Sequence, residues 1–443
     1  MNFTELFKLT SRQCSFSPNG QYLANVNQYR LIIRASKTLE ILHLFPCLDT
    51  IETIEWSYDS RLILAGLIKR HAVQIFSLEN PEWKCKIDEG SAGLCHVHWA
   101  PDSRHVLTTA QFHLRITVWS LTSKNVSYIK YPKKLSPKSY VFNLMKSYMA
   151  LVERRTDNTD HISIFDYSAH WSMIGHFQVN ELEDLQGIQW SPNEDVLCLW
   201  ENCYEYKIVF YRLDGQILNV YKPDHERFSL GVRCARWSPT GQILVVGAYD
   251  EHITIFTHLT YKKIREPFEY PQRLTSGKGY IILKEEEYPV DDQTMPIESK
   301  YIIYDGTLKI SPLKPDFDRV NPRLGISSIE FSSSARYLST INETMPNLLF
   351  IFDFKPVFHL AFVLIQLQSI RCVKWQVHAD QLALCTHSNR LYLWSSQGAS
   401  CINLPRQSSR FQIDEIQWNS HRAISNIALL GEKSMCVGFD EQP

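Results

Sequence analysis

The sequence predicts an all-β protein, a β-propeller of about nine four-stranded blades forming one large ring. Three observations predict it. A phrase of the form apolar-x-aromatic-Ser-Pro-x-Gly recurs along the chain, each copy is followed by an alternating apolar run that closes on an aromatic, and the copies keep a near-constant spacing.

The copies appear in order as "CSFSPNGQYLA" (14–24), "IEWSYDSRLILA" (54–65), "VHWAPDSRHVL" (97–107), "YVFNLMKSYMAL" (140–151), "IQWSPNEDVLCL" (188–199), "ARWSPTGQILVVG" (235–247), "IEFSSSARYLS" (329–339), "VKWQVHADQLAL" (373–384) and "IQWNSHRAISNIAL" (416–429). The fourth is the most degenerate. The anchoring aromatics are Phe16, Trp56, Trp99, Phe142, Trp190, Trp237, Phe331, Trp375 and Trp418, separated by 40, 43, 43, 48, 47, 94, 44 and 43 residues. Ser-Pro-x-Gly reads as a tight turn, because proline fixes φ and glycine supplies φ > 0. The second signal, as in "AVQIFSL" (72–78) or "RITVWSL" (115–121), has the period of two that marks a strand. Each unit is therefore strand, turn, strand, short loop, aromatic-ended strand and a variable outer strand. Four strands in 40–48 residues is the WD40 blade. Such a blade buries its faces only against its neighbours, so the aromatics are assigned to the core. Seven or eight blades, or two incomplete rings, are the alternatives.

The last unit lacks an outer strand, and "NFTELFKL" (2–9) precedes the first unit without a partner. Pairing the two removes an open edge. Residues 1–443 thus read as a single propeller. The 94-residue gap holds an insertion over 261–322, with a strand at "YIIL", a hairpin through Asp305-Gly306, and an acidic solvated loop "KEEEYPVDDQTMPIESK" between them. It is either an ornament on one blade edge or an arm for a partner. The apolar stretch 348–367 contains Asp353, Lys355, Pro356 and His359 and is read as two buried strands rather than a membrane span.

With 46 Lys and Arg against 47 Asp and Glu, the balanced charge gives no support to nucleic-acid binding. Eleven scattered cysteines without Cys-x-x-Cys read as reduced thiols of a cytosolic or nuclear protein, and the N-terminus has no apolar signal-peptide segment. No Gly-x-Ser-x-Gly, His-Glu-x-x-His or Walker motif occurs, so no catalytic residue or cofactor is assigned.

"EWKCKIDEGSAGL" (82–94) separates two apolar runs. "EWKCKI" reads as an outer strand and "DEGSAG" as the link to the next blade, a structural turn or a partner-contact loop through Asp88, Glu89 and Ser91. No helix with a following lysine makes it a phosphate loop. The densest basic run, "KYPKKLSPK", places Lys130, Lys133, Lys134 and Lys138 in the next link. It reads as a solvated loop or as a dock for an acidic coiled coil or the acidic tubulin surface. Ser136, before Pro137 and among these lysines, is a candidate phosphosite whose charge would offset them. Ser17, Ser191 and Ser238 also precede proline but belong to blade turns. Asp250 is read as a structural turn aspartate. Arg154-Arg155 lacks the flanking residues of a lipid-binding twin arginine. His96 and His98 share a strand face, but no cysteine or carboxylate at ligand spacing accompanies them, so no metal is assigned.

"PEWKCKIDEGSAGL" (81–94), "FHLRITVWSL" (112–121), "VSYIKYPK" (126–133) and "EYKI" (205–208) resemble the WD-repeat protein eight family of the centrosome and spindle pole, encoded antisense to a tumour-suppressor gene. The chain departs from it in a shorter insertion and a short tail. The resemblance implies a non-enzymatic scaffold that binds a coiled-coil anchor protein, with a minus-end-directed kinesin in fungi. The implied roles are microtubule anchoring, spindle assembly and cilium assembly in the cytoplasm. A translation-factor-type propeller that binds ribosome or RNA, and a propeller glycosidase, are the other classes. Balanced charge opposes the first, and the lack of a recurring acidic cluster opposes the second.

Overall fold

A computed structural model describes residues 1–135, 138–155, 157–223, 230–288, 298–316, 318, 322–405, 411–422 and 424–439. Among them are nine blades, one further two-stranded sheet, three single-turn 3-10 helices and no α-helix. The chain packs as two compact units.

The first unit comprises Met1–Lys134, Lys138–Ile174 and Leu404–Pro443. It contains blade 1 (Cys14–Phe16, Tyr22–Asn27, Arg30–Ala35, Ile41–Pro46), blade 2 (Thr53–Trp56, Leu62–Leu67, Ala72–Ser77, Lys84–Asp88) and blade 3 (His96–Trp99, His105–Thr109, Arg115–Ser120, Val126–Lys130). Blade 4 begins with Tyr140–Asn143, Tyr148–Arg154 and Asp160–Asp166. Blade 9 has three strands from the C-terminal segment (Glu415–Trp418, Asn426–Leu430, Ser434–Phe439), and the N-terminus completes it as the sequence predicts. Asn2 lies opposite Phe439 and Phe7 opposite Met435. Leu9, Phe16 and Leu23 then share one apolar cluster with Ala428, Leu430 and Val437, which joins blade 9 to blade 1.

Neighbouring blades are held by a repeated set of contacts. The Trp56 indole donates to the Ser15 carbonyl (3.1 Å) and the Trp99 indole to the Glu55 carbonyl (3.0 Å). Tyr22 stacks on Trp56 at 6.1 Å between centroids. The turns also clasp one another. Ser17 and Ser57, both buried, bond the side chains of Asn19 and Asp59 within their own turns. The Asn19 amide donates to Ser60 Oγ and the Asp59 amide to Ser103 Oγ, each at 3.0 Å. The fourth turn position is left-handed in blades 1 to 3: Gly20 (φ 69°), Ser60 (64°), Ser103 (58°). Glycine fills it without strain, whereas the serines offset the strain with that inter-blade bond.

The second unit comprises Leu135–Pro137 and Gly175–Asn403. It holds blade 5 (Leu185–Trp190, Val196–Glu201, Ile208–Arg212, Ile217–Tyr221), blade 6 (Val232–Trp237, Ile243–Ala248, His252–Thr257, Phe268–Glu269), blade 7 (Ile326–Phe331, Tyr337–Asn342, Leu348–Asp353, His359–Ile365) and blade 8 (Cys372–Trp375, Leu382–Cys385, Arg390–Ser395, Gly398–Asn403). The same contacts recur. Trp375 donates to the Glu330 carbonyl at 3.0 Å, and Tyr337 stacks on Trp375. The 348–367 stretch is the hairpin of blade 7, with Asp353 paired to Arg336 at 2.9 Å. Among the described residues no helix is long and apolar enough to cross a membrane.

The insertion differs from the sequence expectation. Ile281–Tyr288 and Glu298–Ile303 form the hairpin, and Asp305-Gly306 instead leads to Thr307–Lys309, which pairs back to Arg273–Thr275. Ile281–Lys284 runs parallel to Phe362–Ile365, so blade 7 grows to six strands. The reading of 284–288 as solvated loop is also corrected. These residues are strand, and Glu285 is buried, accepting from the Tyr392 hydroxyl (2.8 Å) and the Leu367 amide (3.0 Å) beside Arg390. Its charge tolerates burial because blade 8 supplies donors and a cation. Residues 289–297 lie outside the described set.

Deleting residues 1–10 should lower the melting temperature by about 2 °C or more, the shift for losing roughly 2 kcal/mol in a chain of this length. Unchanged melting would refute the pairing. Ser103→Ala, which removes the acceptor and keeps the left-handed strain, should cost roughly 1–2 kcal/mol in denaturant unfolding. Ser103→Gly, which also relieves the strain, should cost less, and equal losses would contradict the compensation.

Candidate partner-binding face

The link between blades 2 and 3 folds as the sequence predicts up to Asp88 and then turns inward. Lys84–Asp88 is the outer strand, with Asp88 opposite Ala72, and Gly90–Ala92 forms one 3-10 turn. Gly93 adopts φ 69°, and a Cβ there would meet the Gln111 side chain. Asp88 stays exposed, with Lys86 at 3.0 Å and the Gly90 amide donating to it. The Lys86 ammonium, then that amide, hold its carboxyl below the ordinary carboxylate range. Ser91 is exposed as well.

Glu89 is not available to a partner, and this expectation is corrected. Its side chain is buried and accepts from Thr108 Oγ1, from Trp119 Nε1 at 3.4 Å and from Arg115 at 3.4 Å. Trp119 Nε1 also donates to Thr108 Oγ1 at 2.7 Å. The Glu89 amide donates to the His71 carbonyl, and the Leu94 amide to His71 Nδ1. One carboxylate thus ties the link to the second and third strands of blade 3. The sequence hid this because an acid beside glycines in a polar link looks like surface, while its partners lie 19 to 30 residues further on.

Lys133 is corrected for the same reason. It is buried, 2.7 Å from the fully buried Asp160, which Arg154 also pairs through two bonds of 2.8 Å. Lys133 from the link and Arg154 from blade 4 thus converge on one buried acid. Arg154 is therefore committed inside the fold. Lys130, Lys134 and Lys138 are exposed, with the Lys138 ammonium 5.9 Å from the Tyr140 ring. Ser136 lies outside the described residues.

Around these lysines the structure places apolar groups that sequence reasoning did not single out. The loop between the second and third strands of blade 3 exposes Phe112 (88%) and Leu114 (64%). Tyr128 and Tyr131, on and just after the outer strand, are more than half exposed. Arg115 lies opposite Lys130 in the strand register and sits 4.8 Å over the Tyr128 ring. "QFHLR" carries two apolar residues where a loop is expected to be polar, and that was the available signal. At the same end, His98 Nδ1 turns to Glu55 at 3.2 Å, while His96 faces His113, with ring centroids 6.0 Å apart. Partial desolvation holds both His96, on an exposed position, and the half-buried His113 below the usual imidazole value, helped by His98, His113 and Lys138 for His96 and by Lys134 for His113.

The remaining assignments are structural. The anchoring aromatics Phe16, Trp56, Trp99, Trp190, Trp237 and Trp418 are buried, and Phe331 and Trp375 are partly buried and packed against core clusters. Asp250 accepts from the Leu230 amide at 2.8 Å. Ser17, Ser191 and Ser238 are buried, and all eleven cysteines are free thiols.

Over its whole length the chain is 42% identical to the mouse "WD repeat-containing protein WRAP73", covering 96% of that protein. The chain belongs to the WRAP73 family of WD-repeat proteins. A second relative, an uncharacterized WD repeat-containing protein of Schizosaccharomyces pombe, is 23% identical over 99% of the chain and 92% of its own length. Residues 187–276 of this WRAP73-type chain match the profile described as "Anaphase-promoting complex subunit 4 WD40 domain". Among solved structures, the C-terminal WD40 domain of Sif2 superposes with a TM-score of 0.51 at 12% identity, covering 99% of both chains. A eukaryotic initiation factor superposes at 0.58 with 10% identity over 88% of both. These likenesses concern the WD40 fold alone.

Glu89→Ala should lower stability by roughly 1–3 kcal/mol, because it strands the Thr108 hydroxyl and the Trp119 indole. Asp88→Ala should leave unfolding within about 0.5 kcal/mol of the parent, as surface changes do. Equal effects in chemical denaturation would contradict the inward and outward roles.

Proposed function

We propose that this chain is a non-enzymatic scaffold of the centrosome and spindle pole, and that blade 3 presents its docking surface to a coiled-coil anchor protein. The observation that carries the reading is the full-length 42% identity to a WRAP73 protein, together with the strings that resemble the centrosomal family. The chemistry of the face is compatible with it. Phe112, Leu114, Tyr128 and Tyr131 offer exposed apolar area, and Lys130, Lys134 and Lys138 surround it. An amphipathic helix with an acidic flank fits that pattern, since its apolar stripe would cover the rings while the lysines steer encounter. The exposed Asp88 is already paired with Lys86. Anchoring of microtubules in spindle and cilium assembly, and a minus-end-directed kinesin as a further member of the complex, belong to the same reading.

Proximity labelling with the full chain in dividing cells should enrich spindle-pole and coiled-coil centrosomal proteins. Enrichment of ribosomal proteins instead would favour a translation-factor role and overturn the proposal. In the same cells Phe112→Ala should weaken partner capture by about 2 kcal/mol or more, the scale of an interface hot spot. The triple exchange Lys130→Glu, Lys134→Glu, Lys138→Glu should reduce recruitment with melting unchanged. Normal recruitment of both variants would move the docking surface elsewhere.

A further inference from the structure

The strongest unassigned cluster lies where blade 3 begins. Cys95 immediately precedes the first strand, His96 opens it, and His113 arrives from the loop that follows the second strand. One ligand atom from each lies within 4.8 Å of the others. Tetrahedral zinc with a sulfur at about 2.3 Å and nitrogens at about 2.0–2.1 Å needs ligand atoms closer than this, so a modest side-chain contraction completes the set. In the sequence, only the His96 and His98 pair suggested a metal. The structure replaces it, because His98 is engaged by Glu55.

The backbone holds the three residues together independently of any metal. The Cys95 amide donates to the Thr109 carbonyl at 2.8 Å, and the His113 amide to the Ala110 carbonyl at 3.2 Å. Phe112 and His113 are consecutive non-glycine residues at φ 58° and 55°. That conformation costs energy for each, and it folds the loop back so that the His113 ring meets His96. Gln111 packs beneath it against Gly93, which fixes the loop to the link.

We propose that Cys95, His96 and His113 form a three-ligand zinc site at the edge of the docking face. A thiolate and two imidazoles are a donor set suited to zinc, with the fourth position left to water. The exposed side chain of His96 places the site within reach of solvent. Binding releases the Cys95 thiol proton to solvent, and the thiolate then offsets one of the two positive charges. This matters here because Lys134 lies near His113 and Lys138 near His96. The inference does not depend on the centrosomal reading, since it concerns this chain and a metal alone.

The test uses the untagged full chain, stripped with a chelator and titrated with Zn2+ by calorimetry and with Co2+ by absorption. The expected result is one saturable zinc per chain and a cobalt spectrum with a thiolate charge-transfer band and tetrahedral d–d bands. Cys95→Ser should abolish the charge-transfer band. His113→Gln should weaken zinc binding by more than about 100-fold, beyond the usual cost of losing an outer-shell partner. Cys85→Ser, away from the cluster, should bind like the parent, and melting of the stripped variants should match it. If His113→Gln does not fold, the near-isosteric Cys95→Ser decides the matter. Absence of saturable zinc binding, or undiminished binding and an intact charge-transfer band in Cys95→Ser, overturns the proposal.

Discussion

Three indoles make the same hydrogen bond. Trp56, Trp99 and Trp375 each close the first strand of a blade, and each donates to the carbonyl of the residue just before the anchoring aromatic of the preceding blade. A four-stranded blade has two apolar faces and cannot exist alone in water. The indole is large enough to reach across the interface, and its one polar atom needs an acceptor once it is buried. At these three anchors the chain between successive units brings the next ring to the preceding carbonyl, whereas the buried Trp190 and Trp237 indole nitrogens make no such bond and hold their blades by packing. At two of the three, a tyrosine of the preceding blade's second strand also stacks on the ring, Tyr22 on Trp56 and Tyr337 on Trp375.

That constraint frees the loops. Because the blades are fixed by core aromatics and by clasped turns at one end, the links and the loops between second and third strands can vary in chemistry at the other. In blade 3 this freedom appears as an exposed Phe112, a Cys-His-His cluster and a row of lysines, all braced from beneath by the buried Glu89. A buried carboxylate is costly unless its lone pairs are filled, and Thr108, Trp119 and Arg115 fill them. Asp160 with Lys133 and Arg154 at blade 4, and Glu285 of the enlarged blade 7 with Tyr392 and Arg390 of blade 8, repeat this solution.

Much of the fold was legible because its signals are local. Alternation marks a strand, Ser-Pro-x-Gly marks its turn, and the missing outer strand of the last blade pointed to residues 2–9. What was not legible is pairing at a distance. Alternation in "YIIL" and "YIIYDGTLKI" fixes which side chains share a face but not which strand lies alongside, so the Asp305-Gly306 hairpin was misplaced. Charge has the same ambiguity. Glu89, Lys133 and Glu285 look like surface residues in the sequence, and only partners 19, 27 and 107 residues away reveal them as interior. The site was half visible. Asp88, Ser91, Lys130, Lys134 and Lys138 are exposed, whereas Cys95 and His113 come together only after the loop of blade 3 has folded back.

The account rests on the indoles being shared between blades, and amide exchange at the indole nitrogens reads that directly. With the tryptophans labelled with nitrogen-15, the Nε1 hydrogens of Trp56, Trp99 and Trp375 should exchange only with global opening, slowing together as stability rises. The half-buried Trp83, on the connection to an outer strand, should exchange far sooner. Rapid exchange at Trp56, Trp99 and Trp375, comparable with that of Trp83, would contradict the claim that these bonds join one blade to the next.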